Sequence, residues 1–388
     1  MPRIDNASRR DFLKNTASLG AVAVMPGLLT ACADDSAPTP WPDWPLEQKI
    51  AQMLIVGFRG TTLAASNPIV RDLEIHRIGG VILFDYDVTL KQYGRNITDP
   101  AQLQDLTHSL RNIARTPPFI AVDQEGGRVV RLKERYGFPA TVSAQSLGTA
   151  DDLGLTGQAA YSIARTLVSN GLNLNFAPDV DVNVNPNNPV IGALERSFSG
   201  DPLVVIRHAS EFARVQRRTG VMSALKHFPG HGSSTGDSHQ GFVDVTHTWT
   251  EMELLPFGSL IASDLADMVM TAHIYNANLD PDYPATLSRA TITGLLRERL
   301  GHRGVVVTDD MQMGAISQLY SYPAAVIRTI NAGVDIVLVG NNLAYEPDVV
   351  PRTLDIVLDA VARGEIDPAR IDESCGRIMA LKSRYHLA

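Results

Sequence analysis

The chain has 388 residues, 44% hydrophobic and 20% charged, with a formal net charge of −8. That composition supplies a large apolar core. The acidic balance, with no run of basic residues, argues against a nucleic-acid partner. Two cysteines, Cys32 and Cys375, are too few for a disulfide framework, so the fold must rest on its core.

In chain order, the first feature is Ser8-Arg9-Arg10-Asp11-Phe12-Leu13-Lys14, which resembles a twin-arginine export signal. An apolar stretch from about Ala17 to Ala31 follows, too short for the roughly 20 residues of a spanning helix. It ends in Leu29-Thr30-Ala31-Cys32, which resembles a bacterial lipobox, so residues 1–31 are read as a signal peptide and Cys32 as a lipidation site. Loss of residues 1–31 removes four basic and two acidic side chains and leaves a net charge of −10. Residues 32–45 are Pro-rich and are expected to form an extended tether. Lipidation of Cys32 would leave Cys375 alone, on a helical pattern, as a small packed residue.

From residue 46 to the end, apolar β-rich runs alternate with helical patterns. The runs are Met53–Phe58, Gly80–Phe84, Phe119–Asp123, Leu172–Val182, Val221–Phe228, Met268–Ile274, Val305–Asp309 and Val334–Val339. Most are continuously apolar, the pattern of parallel strands buried on both faces. Helices are predicted over 101–115, 151–170, 202–219, 251–265, 289–300, 323–332 and 347–363. Asp99-Pro100, Asp201-Pro202 and Thr250-Glu251 supply start signals. Eight β/α alternations predict a single-domain α/β (β/α)8 barrel over residues 46–388. A doubly wound open sheet is the alternative, weakened by the lack of a Gly-x-Gly-x-x-Gly after the first strand.

Barrel active sites lie at the C-terminal strand ends. Those ends carry Asp123-Gln124-Glu125, Asp179-Val180-Asp181, Lys226-His227, Thr271-Ala272-His273 and Thr308-Asp309-Asp310. Packing does not explain so many polar strand ends. The richest segment runs from Lys226 to His239 and holds a Lys, three His and an Asp among Gly, Ser and Pro, which marks an exposed loop. Asp237 and His239 are two apart, a spacing that turns both side chains the same way in extended backbone. A carboxylate orienting an imidazole is a general acid/base arrangement. The residues alone also allow a metal cluster or a capped loop there.

Several motifs together resemble family 3 glycoside hydrolases, in particular the bacterial β-N-acetylglucosaminidase branch. They are Asp123-Gln124-Glu125-Gly126-Gly127-Arg128, Asn175-Phe176-Ala177-Pro178-Asp179, Asn188-Pro189-Val190-Ile191-Gly192, Arg196-Ser197-Phe198, Lys226-His227-Phe228-Pro229-Gly230-His231-Gly232 with Asp237-Ser238-His239, and Thr308-Asp309-Asp310. The resemblance implies a retaining exo-acting hydrolase working through a covalent glycosyl-enzyme. It makes Asp309 the nucleophile, His239 the acid/base and Asp237 its orienting partner. Adjacent Asp310 points the other way in an extended strand, although the sequence leaves the reverse assignment open. The resemblance also gives Asp123, Arg131, Arg196, Lys226 and His227 to the sugar hydroxyls, with no cofactor and no metal.

One departure is Ser233, where many relatives carry an acid. The export features add a second expectation: a monomeric lipoprotein facing the periplasm, the outer membrane favoured, acting on terminal β-GlcNAc of peptidoglycan or chitin-type glycans. A β-glucosidase, a glycoside phosphorylase and a non-catalytic glycan-binding lipoprotein are the competing readings.

Overall fold

The computed structural model describes residues 43–387. The expected signal peptide, Cys32 and the expected tether as far as residue 42 lie outside the described residues. Among the described residues no helix is long and apolar enough to cross a membrane.

Eight parallel strands form the centre: β1 Leu54–Gly57, β2 Gly80–Ile82, β3 Phe119–Val122, β4 Leu174–Asn175, β5 Met222–Phe228, β6 Met268–Thr271, β7 Val305–Thr308 and β8 Val337–Val339. Each pairs with its sequence neighbours, and β1 pairs with β8 through Ile55 and Leu338. A bridge between Val307 and Ile336, with Thr308 N–H donating to the Ile336 carbonyl at 3.0 Å, joins β7 to β8 and closes the ring. The structure is therefore the closed (β/α)8 barrel and not the open sheet. Every residue of these strands is buried, which explains their unbroken apolar runs.

Helices on the outside begin where short polar caps predict. Asp99 accepts from Gln102 N–H at 3.0 Å to open Pro100–Ile113, and Asp201 accepts from Leu203 N–H at 2.8 Å to open Pro202–Arg218. Asp367-Pro368 repeats the device for the last helix, Pro368–Arg384, in which Cys375 is buried. The predicted start at Thr250 differs. Thr250 makes no side-chain cap, and Glu251–Leu254 is a 3-10 turn before the helix Leu255–Ala262. Pro256 explains this, because it has no N–H to close an α-helical bond onto Met252.

The predicted strand 172–182 is also shorter than expected. Regular pairing ends at Asn175, and the chain then runs through Pro178 to a lone bridge between Asp179 and Lys226. Proline has no N–H to continue the ladder, so residues 176–182 become a wall above the barrel instead.

Candidate active site

The strand ends converge above the barrel. Beyond β3, Asp123 leads into a small ribbon, Gln124–Gly126 against Val129–Val130, which presents Glu125 and then Arg131. At the C-terminal end of β5 stand Lys226 and His227, and beyond β7 stands Asp309. Asp123, Arg131, His239 and Asp309 line two adjoining chambers, one of 240 Å³ and one of 360 Å³. The smaller also receives Glu125, Arg196, Lys226 and His227. All five residues expected to hold sugar hydroxyls thus face one space.

Their mutual bonds form an alternating charge network. Asp123 accepts from Lys226 Nζ at 3.0 Å and from Arg131 at 3.1 Å. Burial pushes the Asp123 carboxyl up, but Lys226 and Arg131 outweigh it and hold it well below the usual carboxylate range. Glu125 accepts a two-pronged bond from Arg196, at 2.8 and 2.7 Å, and pairs with Lys226 at 2.6 Å. Glu125 was not among the expected site residues. Its place in the Asp123-Gln124-Glu125 motif was the only signal, because nothing local in sequence shows that Arg196 lies opposite it.

His227 is buried and held by Asp181, whose Oδ2 lies 2.7 Å from Nδ1. An ionised carboxylate only accepts, so Nδ1 carries the proton and Nε2 accepts from Arg196 at 3.0 Å. Burial, reinforced by Arg196 and Lys226, drives the imidazole far below its ordinary range, so it is neutral. Asp179, Asp181 and His227 are also a buried set within ligand distance of one another. Arg196 stands 3.5 Å from the Asp179 carboxylate, and His227 Nδ1 is engaged with Asp181 at 2.7 Å. Of this set only His227 belongs to the His-rich segment, Lys226 to His239, in which the sequence allowed a metal cluster.

Asp309 and Asp310 part company at the tip of β7. Asp310 Oδ1 accepts from Gly340 N–H at 2.9 Å and Gln312 N–H at 3.1 Å, tying β7 to the end of β8. Only glycine fits at 340, since a Cβ there would stand 2.4 Å from Asp310 Oδ2. Burial raises the Asp310 carboxyl to about 6. The Asp309 carboxylate accepts from Asp310 N–H at Oδ1, at 2.8 Å. Burial alone would raise Asp309, but the surrounding His227, His273 and His239 hold it below its ordinary value. His273, bonded to Thr286 Oγ1 at 2.8 Å and the Asp310 carbonyl at 3.0 Å, packs beneath it.

Asp237 and His239 are together as expected, with His239 Nδ1 2.8 Å from Asp237 Oδ1. The cause is different from the extended backbone inferred from the i, i+2 spacing. The segment is a turn, closed by His239 N–H donating to Asp237 Oδ1 at 2.9 Å. Burial raises the Asp237 carboxyl, but these two bonds from His239 outweigh it and leave it lowered. The loop is pinned from both sides. Asn188 donates to the His231 carbonyl at 2.7 Å, and Gly314 N–H donates to the His239 carbonyl at 3.1 Å. Ser233 is buried, and its N–H donates to Glu253 Oε2 at 3.2 Å.

Two acids, a carboxylate-held imidazole and a cluster of strong hydrogen-bond donors and acceptors are the constituents of a glycosidase site. Residues 45–381 match the family described as the glycosyl hydrolase family 3 N terminal domain. The chain belongs to glycosyl hydrolase family 3. It is 38% identical over 332 residues to β-hexosaminidase A of Pseudoalteromonas piscicida, covering 79% of this chain and 53% of that protein. It thus spans about half the length of that relative. The β-hexosaminidase of Xylella fastidiosa strain M23 is 36% identical, over 84% of this chain and 91% of its own. Among solved structures, a family 3 β-N-acetylglucosaminidase from Paenibacillus sp. str. FPU-7 superposes with a TM-score of 0.81 at 39% identity, covering 89% of this chain and 63% of that one. The β-N-acetylhexosaminidase from Beutenbergia cavernae gives 0.77 at 31% identity, over 88% of this chain and 99% of its own.

Proposed function

We propose that this family 3 glycoside hydrolase is a retaining, exo-acting β-N-acetylglucosaminidase that releases terminal β-linked GlcNAc from peptidoglycan or chitin-type glycans. The observation that carries this reading is one continuous space lined by Asp309, His239 and the Asp123–Arg131–Lys226 cluster. Relatives named β-hexosaminidase and β-N-acetylglucosaminidase support it.

In the first step the free oxygen of Asp309 attacks the anomeric carbon. His239 Nε2–H gives its proton to the glycosidic oxygen as the C–O bond breaks. Asp237 holds Nδ1–H, so the imidazole that remains has its lone pair on Nε2. In the second step Nε2 takes a proton from water, whose oxygen attacks the same carbon and frees Asp309. The acids and bases of the smaller chamber supply the strong acceptors and donors that several hydroxyls need.

The test is turnover of paired β-GlcNAc and β-glucose aryl glycosides by the purified protein, with and without phosphate. GlcNAc preference with free sugar as product is expected, and Asp309→Asn should lose at least about 10³-fold in kcat. Glucose preference, or a sugar phosphate as product, would overturn the assignment. The reading extends to an exported monomer anchored by lipid on Cys32. Labelled palmitate should enter the parent and not Cys32→Ser.

A further inference from the structure

We infer that the larger chamber is a leaving-group subsite for a second, neutral sugar ring, and that the hairpin at residues 86–93 is its platform. The inference rests on the reading of the protein as a β-N-acetylglucosaminidase and adds the acceptor side of the same site.

The two chambers meet at Asp123, Arg131, His239, Met270 and Asp309. The smaller holds the remaining hydroxyl ligands and so takes the sugar whose bond is cleaved. The larger leads from Asp309 and His239 out to the surface. Its outer wall is made by Tyr86, Val88 and Tyr93 of the hairpin and by Leu343 beyond β8. At 360 Å³ it is much larger than an acetamido group requires, and only the departing part of the glycan needs a route to solvent.

Three apolar side chains stand exposed together at this mouth: Tyr93 at 57%, Val88 at 41% and Leu343 at 37%. Single exposed apolar residues are ordinary, but a group of them continuous with a catalytic cavity marks a contact surface. The group is also rigid. Asp87, buried at the base of the hairpin, accepts from Arg59 Nε at 2.7 Å and from Leu90 N–H at 2.9 Å. Asn342 accepts from Val88 N–H at 3.0 Å and donates to the Tyr86 carbonyl at 3.1 Å, fastening the hairpin to the end of β8. The Arg135 guanidinium lies 3.6 Å from the Tyr93 ring centroid, and the Tyr86 ring is 4.8 Å away. A pre-positioned aromatic costs little entropy when a ligand arrives.

The chamber favours a neutral ring. Asp85 on its wall is bonded to Lys133 at 2.6 Å, so the one lysine there is already paired, and Asp309 and Asp310 oppose added negative charge. The C–H faces of a β-linked pyranose fit an apolar wall of this kind.

The experiment compares two substrates on the full chain. N-acetylglucosaminyl fluoride has a leaving group too small to reach the hairpin, whereas N,N′-diacetylchitobiose places a second ring on it. Tyr93→Ala and, independently, Leu343→Ser should keep fluoride turnover within about 2-fold. Each should lose about 10-fold in kcat/KM on the disaccharide, as expected for removing one apolar or aromatic contact. Equal losses on both substrates, or no loss on the disaccharide, would overturn the proposal. Calorimetry on Asp309→Asn separates the subsite from the activity. The disaccharide should bind about 10-fold tighter than GlcNAc, and Tyr93→Ala should close that gap. A gap without any turnover by the parent would sink the hydrolase reading and leave the subsite standing. No gap would sink the subsite whatever the turnover.

Discussion

Asp237 spends one oxygen twice on the same residue, accepting from the N–H of His239 at 2.9 Å and from its Nδ1 at 2.8 Å, both at Oδ1. Its other oxygen accepts from Gln240 Nε2 at 3.0 Å. This geometry makes the two obvious substitutions unequal. In Asp237→Asn the amide oxygen can take the place of Oδ1, keeping the turn and the Nδ1–H tautomer. What is lost is the negative charge that stabilises the imidazolium, while Gln240 must turn its own amide to face an NH2. In Asp237→Ala the turn, the tautomer and the charge all go. We expect kcat to fall by about 10-fold to 100-fold for Asn and by about 10³-fold for Ala, within the usual worth of general acid/base groups. Steady-state kinetics on a β-GlcNAc glycoside decide it, and equal losses for the two variants would mean that charge alone is what Asp237 provides.

The element that carries this pair, the loop after β5, leans on a group the sequence does not advertise. Glu253, on the 3-10 turn Glu251–Leu254, accepts from Ser233 N–H at 3.2 Å while its Oε1 is buried without a hydrogen-bond partner. Burial raises its carboxyl from 4.5 to about 7. Between those values the folded protein binds the proton and the unfolded chain has released it, so this group's contribution to stability falls as pH rises. Glu253→Gln keeps the acceptor for Ser233 and removes the titration. Thermal melts should show little difference from the parent at pH 5 and a gain of about 3 kcal/mol at pH 8, and a pH-independent difference would refute it. The contrast with the barrel is instructive. The barrel was legible because its strands are buried on both faces, so each leaves an unbroken apolar run, and because Asp-Pro pairs announce helices such as Pro100–Ile113. The strand ends likewise announced Asp123, Lys226, His227 and Asp309. Glu125 opposite Arg196, Glu253 behind Ser233 and the hairpin with strands of only two residues, Tyr86–Asp87 and Gln92–Tyr93, could not be read this way. Each depends on which distant segments the closed ring brings together, and a strand of two residues has no periodicity to detect.

For the molecule as a whole, closing the barrel separates a polar face that holds the candidate site from an opposite end sealed by the last helix, Pro368–Arg384. That seal contains a buried lysine. Lys382 Nζ donates to Gln52 Oε1 at 2.7 Å and lies 4.8 Å from the centroid of the Phe119 ring on β3. Among the described residues no carboxylate is bonded to it, and burial lowers its ammonium from 10.5 to about 7. The nearby Cys375 thiol is pushed by burial up to about 12, so it stays protonated and provides no counter-charge. The sign for Lys382 is opposite to that of Glu253. Between pH 7 and 10.5 the unfolded chain holds the proton that the folded protein has released, so stability from this group rises with pH. Below pH 7 the folded protein must carry a charge in an apolar floor, and the cost is then complete. Lys382→Met conserves most of the volume and removes the charge, at the expense of the bond to Gln52. Relative to the parent, it should gain about 3 kcal/mol more at pH 6 than at pH 9, a difference of several degrees in Tm. Because Lys382 is at the far end of the barrel from Asp309 and His239, kcat/KM on β-GlcNAc glycosides should not change. A Tm difference that is the same at both pH values would mean that the lysine is charged throughout and that the floor is wetter than its packing indicates.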